Sequence, residues 1–365
     1  MANSNPTEPD GDTLFPASTP TLSILSLPTE ILDRMVDFLS PNTRDLSSCA
    51  LAHRTFLRLT RQRVFTTVTL QSSDALERFV ALCSPPSSSS SPAIKSSIEQ
   101  LKIRNLERHD WTWPSRIPVL LGSGQLTRLR ELQILCSIVD LDVMFFSSLE
   151  HFVRLETLVL AGPNFMCVSE LIRRISSLPA LTHLTLNLDG IRWSPVPRDL
   201  ISSPLNGNTR HVSPCLRLTS LSITAVDPRM SELVDWLIGT STSVDMLWIE
   251  FWDEAVLEDV GRLISACGDA LKDLTLDTCS EGVSAGALDH VDLSMNAKLS
   301  HLYLPRISFA DLASVVRVLA TTPSAALKHL SLRISDAHTF RTPFLEPDQS
   351  WSDLDAVLAD ETTSG

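Results

Sequence analysis

Gly282-Val283-Ser284-Ala285-Gly286 has the G-x-S-x-G spacing of a nucleophile elbow, where small neighbours let a serine ride a sharp strand-to-helix turn. Asp289 or Asp311, then His301 or His329, would supply the Ser-Asp-His order of an acyl-transfer triad. Ser284, however, stands eight residues past Leu276 in a segment that reads as a connecting loop, and no H-G-G-G run offers oxyanion donors. A serine hydrolase through Ser284 is therefore only a remote alternative, and the chain is expected not to be an enzyme. His183, His301 and His329 form a second set, but two or three imidazoles hold a metal only with further ligands. No Cys or carboxylate spacing supplies them, and no Walker loop, dinucleotide fingerprint or zinc motif occurs, so neither metal nor cofactor is expected. The seven cysteines contain no C-x-x-C pair and mostly lie in apolar runs, which reads as buried, reduced thiols.

The elements that position these residues repeat. From residue 98 an apolar-x-x-apolar-x-apolar pattern returns nine times. It appears as Ile98-Leu101-Ile103, Leu129-Leu132-Ile134, Leu155-Leu158-Leu160, Leu181-Leu184-Leu186, Leu218-Leu221-Ile223, Val244-Leu247-Ile249, Leu271-Leu274-Leu276, Leu299-Leu302-Leu304 and Leu327-Leu330-Leu332. The starts are 31, 26, 26, 37, 26, 27, 28 and 28 residues apart, and most intervals fall in the leucine-rich-repeat range of about 20 to 29. Phe65-Val68-Leu70 fits the same template and opens the array. Between strands lie apolar stripes at helical spacing, such as Val168, Leu171, Ile172, Ile175 and Leu178, or Phe309, Leu312, Ala313, Val316 and Leu319. The expected fold class is α/β: an irregular leucine-rich-repeat solenoid, an αβ horseshoe with a parallel concave sheet and convex helices.

The Asn or Cys that such repeats place three residues past the third leucine, where it satisfies turn backbone, is matched only by Cys279. The loops must satisfy their backbone in another way. The two long intervals mark insertions, one with His109-Asp110-Trp111-Thr112-Trp113-Pro114 and one from Asn187 to about Cys215, where binding contacts are expected. Pro85-Pro86 with its serines up to Pro92 reads as a flexible loop, and Trp351, Leu354, Val357 and Leu358 begin a terminal helix.

Strand alternation turns the third, fifth and seventh positions of each pattern onto the concave sheet. Trp248 and Tyr303 at fifth positions, Glu250 and Asp277 at seventh positions, and His301 and His329 at third positions make up the candidate substrate-binding cluster. Exposed aromatics supply interface energy while flanking charges set specificity.

The amino-terminal stretch is built differently. Ser26 is a candidate cap, Pro28 suits the first helical turn, and Glu30 sits near the positive end of the helix dipole. Ile31, Leu32, Met35, Val36 and Leu39 read as one apolar stripe, ended by Ser40-Pro41-Asn42. A second helix places Leu46, Cys49, Ala50 and Leu51 inward, and a third carries Phe56, Leu57 and Leu59. Three such helices bury little surface alone and call for a partner or an attached domain.

This ordered set resembles an F-box, the helical module that docks substrate receptors onto the Skp-family adaptor of a cullin ubiquitin ligase. The resemblance implies an adaptor-facing surface of Leu27, Pro28, Ile31, Leu32, Met35, Leu51 and Phe56. Ala52 stands where the family often has Cys, and Phe56 where it often has Trp. The implied function is that of a non-catalytic substrate-recognition subunit of an SCF-type ligase, with the repeats holding a target protein. The alternative is a plain interaction scaffold with a vestigial F-box.

The expected organisation is a disordered tail over 1–22, the F-box over 23–64, the repeats over 65–345, and a terminal helix and tail over 346–365. A formal net charge of −13 in 365 residues argues against a sequence-independent grip on nucleic acid. Residues 27–70 nevertheless hold six arginines against four carboxylates, a locally basic balance. No run reaches the roughly 18 apolar residues of a membrane span, and the start lacks signal-peptide character. A cytoplasmic or nuclear protein without a membrane partner is expected.

Overall fold

The structure is a computed structural model that describes residues 24, 27–39, 43–83, 95–104, 113, 116–117, 126–140, 149, 151–164, 168–188, 216–226, 231–240, 243–251, 256–278, 288–307, 312–323, 326–334, 352, 354, 356 and 359. The G-x-S-x-G run, most of both insertions, the 85–92 loop, Cys279, Trp351, Val357, Leu358 and the 1–22 tail lie outside these residues. By its own contacts the chain divides into Met1–Val64 and Phe65–Gly365.

The first unit is three helices, α1 (Thr29–Leu39), α2 (Thr43–Ala52) and α3 (Arg54–Val64). Pro28 lends its carbonyl to the first turn of α1, accepting from Ile31 N at 3.0 Å and Leu32 N at 3.2 Å. Leu32, Val36, Leu46 and Phe56 form the buried core, with Leu39, Cys49, Leu59 and Val64 half-buried around it. Arg63 ties α3 to α1: its Nη2 lies 3.0 Å from Asp33 Oδ1 and 2.6 Å from Asp37 Oδ1, and its Nη1 donates to Leu59 O at 2.9 Å.

The second unit is a ten-stranded parallel sheet in chain order, β1 (Thr67–Leu70), β2 (Gln100–Arg104), β3 (Glu131–Asp140), β4 (Thr157–Asn164), β5 (His183–Asn187), β6 (Ser220–Val226), β7 (Met246–Phe251), β8 (Asp273–Thr278), β9 (His301–Ile307) and β10 (His329–Ile334). One residue of every repeat stands in the same register row, Val68, Leu101, Leu132, Leu158, Leu184, Leu221, Leu247, Leu274, Leu302 and Leu330. Each strand therefore repeats its predecessor one repeat later, which is the leucine-rich-repeat architecture the spacing predicts. Behind the sheet lie α4 (Ser73–Cys83), α5 (Val168–Ile175), α6 (Ser231–Thr240), α7 (Leu257–Cys267) and α8 (Leu312–Thr321), whose apolar faces share one core with the strand leucines.

A ladder of backbone hydrogen bonds joins the strand starts. The carbonyls of Thr66, Glu99, Arg130, Glu156, Thr182, Thr219, Asp245, Lys272 and Ser300 each accept two successive N–H groups from the next repeat. Thr182, Thr219 and Ser300 add side-chain hydroxyls to it. At the strand starts, stacking itself satisfies the backbone.

Three expectations are corrected. Trp113, assigned to an insertion, is fully buried in the repeat core. Residues 288–299, between β8 and β9, are turns rather than a helix, with Leu288, Val291, Leu293 and Leu299 buried. There Asn296 is buried, and its Nδ2 donates to Ile264 O and Gly268 O, both at 3.0 Å, closing the carboxyl end of α7. The inner face of α8 is Leu312, Val315, Val318 and Leu319, so Ala313 points outward. At the carboxyl end, Ser352, Leu354, Ala356 and Ala359 are helical, and Leu354 is buried in the same core.

Candidate functional site

The helical unit leaves more large apolar side chains outside than its core takes in. Leu27 is 40 % exposed, Ile31 42 %, Met35 39 %, Phe38 88 % and Leu51 89 %, with Pro28 exposed beside them. The single apolar stripe expected on α1 is really two. Leu32, Val36 and Leu39 recur at i, i+4 and i+7 and face the core, whereas Ile31, Met35 and Phe38 repeat the same spacing one residue out of step and face away. Of the residues the sequence assigned to an adaptor-facing surface, Leu27, Pro28, Ile31, Met35 and Leu51 are on the surface. The structure places Leu32 and Phe56 in the buried core instead. Leu51, expected inward, points out at the end of α2. Phe38 and Leu57 were missed, although Phe38 was legible as the third member of the Ile31 row.

In the repeat unit, Trp248 on β7 and Tyr303 on β9 are 43 % and 39 % exposed. In register they flank Thr275 on β8. Glu250 and Asp277 are paired across β7 and β8 and share a cation that the sequence reading missed. Arg306 grips Asp277 with two hydrogen bonds of 2.6 Å, Nε to Oδ1 and Nη2 to Oδ2, and reaches Glu250 Oε1 at 3.1 Å. Its partner Asp277 is buried. A planar guanidinium meeting a carboxylate through two parallel bonds fixes both orientations. Arg306 escaped notice because Pro305 breaks the alternation of β9, whose residues 304 and 305 are both buried, and so turns residue 306 to the open face out of phase.

The histidines separate. His301 and His329 are register partners whose rings stack with centroids 4.8 Å apart and planes 5° apart. His301 Nδ1 lies 2.6 Å from Asp273 Oδ1 and 2.9 Å from Ser300 Oγ. His183 is on β5, away from this pair, and its Nδ1 lies 2.8 Å from Thr182 Oγ1. Among the described residues no group of three His, Cys, Asp or Glu is placed to hold a metal ion. Asp289, one acid considered for a triad, is engaged by Arg317 Nη2 at 2.6 Å. Asp311 and Ser284 lie outside the described residues. Cys83 and Cys267 are buried and free, and burial pushes the Cys267 thiol up to about 12. No helix among the described residues is long and apolar enough to cross a membrane.

No protein-family model matches the chain and no curated protein matches it significantly. Among solved structures it is similar to the leucine-rich repeat-containing protein LegL7 from Legionella pneumophila, at 13 % identity over 85 % of each chain with a TM-score of 0.39. It is also similar to a chain of the yeast Rad7 and Elc1 complex, at 12 % identity over 89 % of this chain and 90 % of that one with a TM-score of 0.36. An internalin, InlF, from Listeria monocytogenes aligns at 13 % identity over 76 % of this chain and 66 % of its own with a TM-score of 0.29. The repeat assignment stands on the chain's own strand order and register.

Proposed function

We propose that the chain is a substrate-recognition subunit of a cullin-type ubiquitin ligase, a non-catalytic F-box receptor acting in the cytoplasm or nucleus. The helical unit docks on a Skp-family adaptor and the open sheet face holds the target protein. The observation that carries this is the outward row Ile31, Met35 and Phe38, joined by Leu27, Pro28 and Leu51, on a unit whose own core is four residues. So many exposed apolar side chains on so small a module support a docking role. The order of residues from Leu27 to Leu70 supports the F-box assignment, and with it the choice of adaptor. Arg63 is occupied by Asp33 and Asp37, so any steering by basic charge falls to the other arginines of the unit.

Coprecipitation of the adaptor with wild type and with Leu27→Ala/Pro28→Ala tests this. At least tenfold lower recovery with the variant is expected, and equal recovery from both refutes adaptor docking. Burial of Leu32 and Phe56 narrows the free surface and favours a second reading, an interaction scaffold whose F-box is vestigial. Ubiquitin transfer to a bound target by the reconstituted assembly separates the two, since the scaffold reading expects none.

A further inference from the structure

We propose that the open sheet face centred on Thr275 takes a lysine or arginine side chain from an extended segment of the target. This rests on the reading of that face as the target-binding surface and names the chemistry it selects.

Thr275 sits at the middle of a cross. Across the sheet its register neighbours are Trp248 and Tyr303. Neighbouring strands run about 4.8 Å apart, so the two aromatics rise from backbones about 9.6 Å apart, with only a half-buried threonine between them. That width admits one side chain between two large, exposed ring systems. Along β8 the residues two before and two after Thr275 are Asp273 and Asp277, which alternation puts on the same face. A cation between aromatic rings, with carboxylates one alternation step away on either side, gains from both fields.

The local charge balance favours the cation over its rivals. Glu250 and Asp277 share one guanidinium, that of Arg306, and Asp273 meets the imidazole of His301. The face thus carries three carboxylates beside Arg306 and His301, within a chain of net charge −13. An acidic or phosphorylated segment would meet like charge here. An aliphatic side chain would gain from the two rings alone and nothing from the carboxylates of Asp273 and Asp277.

Fluorescein-labelled Gly-Ser decapeptides with a central arginine, lysine, norleucine or glutamate test the inference by fluorescence anisotropy against the full chain. The basic peptides are expected to bind about tenfold tighter than the norleucine peptide, with the margin shrinking as salt rises, and the glutamate peptide weakest. Trp248→Ala and Tyr303→Ala each remove most of that preference, Trp248→Phe retains much of it, and Asp273→Asn lowers it several-fold. Met295→Ala, an exposed residue elsewhere in the unit, leaves it unchanged. Equal binding of norleucine and arginine, still sensitive to Trp248→Ala, overturns the choice of a cation while the face remains a target surface. Failure of every peptide at millimolar concentration, or binding indifferent to Trp248→Ala and Tyr303→Ala, overturns both. The assay contains no adaptor, so its outcome is independent of docking by the helical unit.

Discussion

The two units treat apolar residues in opposite ways. Of the large apolar side chains left exposed among the described residues, seven belong to Met1–Val64 and six to the much longer Phe65–Gly365. The helical unit has a core of four buried apolar residues, whereas the repeats from β2 to β9 bury their leucines against those of the neighbouring strands and the helices behind. A repeat array satisfies itself by stacking, so an aromatic it leaves outside, such as Trp248, is surplus to folding. A three-helix unit has no neighbour of its own kind, and its outer row stays exposed.

The strongest way to break this comparison is to cut one core leucine in each unit. Leu276→Ala and Leu32→Ala both remove side chains that are at most 2 % exposed, and each should cost about 2–5 kcal/mol. Leu276→Ala should lower the unfolding temperature of the repeat array and loosen β7 and β9 along with β8, because repeats lean on their neighbours. Leu32→Ala should abolish hydrogen-exchange protection in α1, α2 and α3 while protection of the strands persists. If Leu32→Ala lowers strand protection as much as Leu276→Ala does, the two regions are not separate cooperative units.

Packing between repeats is sharpest at Gly261 in α7. A Cβ built there would lie 2.2 Å from the carbonyl oxygen of His290, a backbone atom that cannot swing aside. In an isolated helix Gly→Ala is favourable by about 1 kcal/mol. Here the close approach reverses the sign, and Gly261→Ala should destabilise by about 1–3 kcal/mol in urea unfolding. A gain in stability would mean that the 288–299 turns yield easily and that this repeat is less tightly stacked than its buried leucines indicate.

Leu51→Ser sharpens the other side. Leu51 is 89 % exposed, so the substitution should leave stability within about 0.5 kcal/mol. Adaptor affinity, measured by calorimetry, should fall about tenfold, equivalent to about 1.4 kcal/mol of binding. A variant that unfolds more readily yet binds normally would show Leu51 to be structural.

What the sequence disclosed follows the same division. The strands were legible because each leucine packs on the residue that repeats it, so spacing and contact are one fact, seen in the unbroken row from Val68 to Leu330. On α1 spacing and contact part company. Ile31-Met35-Phe38 and Leu32-Val36-Leu39 have the same period, and only the placement of α2 and α3 decides which row is inside. Asp277 and Glu250 were legible as strand-face acids, but Arg306 was not, since Pro305 shifts the phase after which it projects. Trp113 was misassigned because a tryptophan among prolines and polar residues reads as surface, although it belongs to the repeat core. The turns at 288–299 hid for a related reason: Leu288, Val291 and Leu293 supply apolar groups without a helix to carry them.

The smallest effect distinguishes the units through their thiols. Cys267, in the core of the repeat array, is held protonated by burial, with its pKa pushed up to about 12, whereas Cys49 in the helical unit is half-buried. A thiol whose folded pKa lies above the unfolded value of about 8.5 contributes stability that is fully present below 8.5 and is lost as pH rises towards 12, because only the unfolded chain releases the proton. Between pH 7 and pH 8.5 the array should lose about 0.4 kcal/mol on this account, and Cys267→Ala should flatten that slope in paired urea titrations. Iodoacetamide at pH 8 should label Cys49 well before Cys267, since the thiolate is the reactive form and burial withholds it. Faster labelling of Cys267 would show that α7 opens locally, and the repeat array would then hold its core less firmly than the helical unit holds its own.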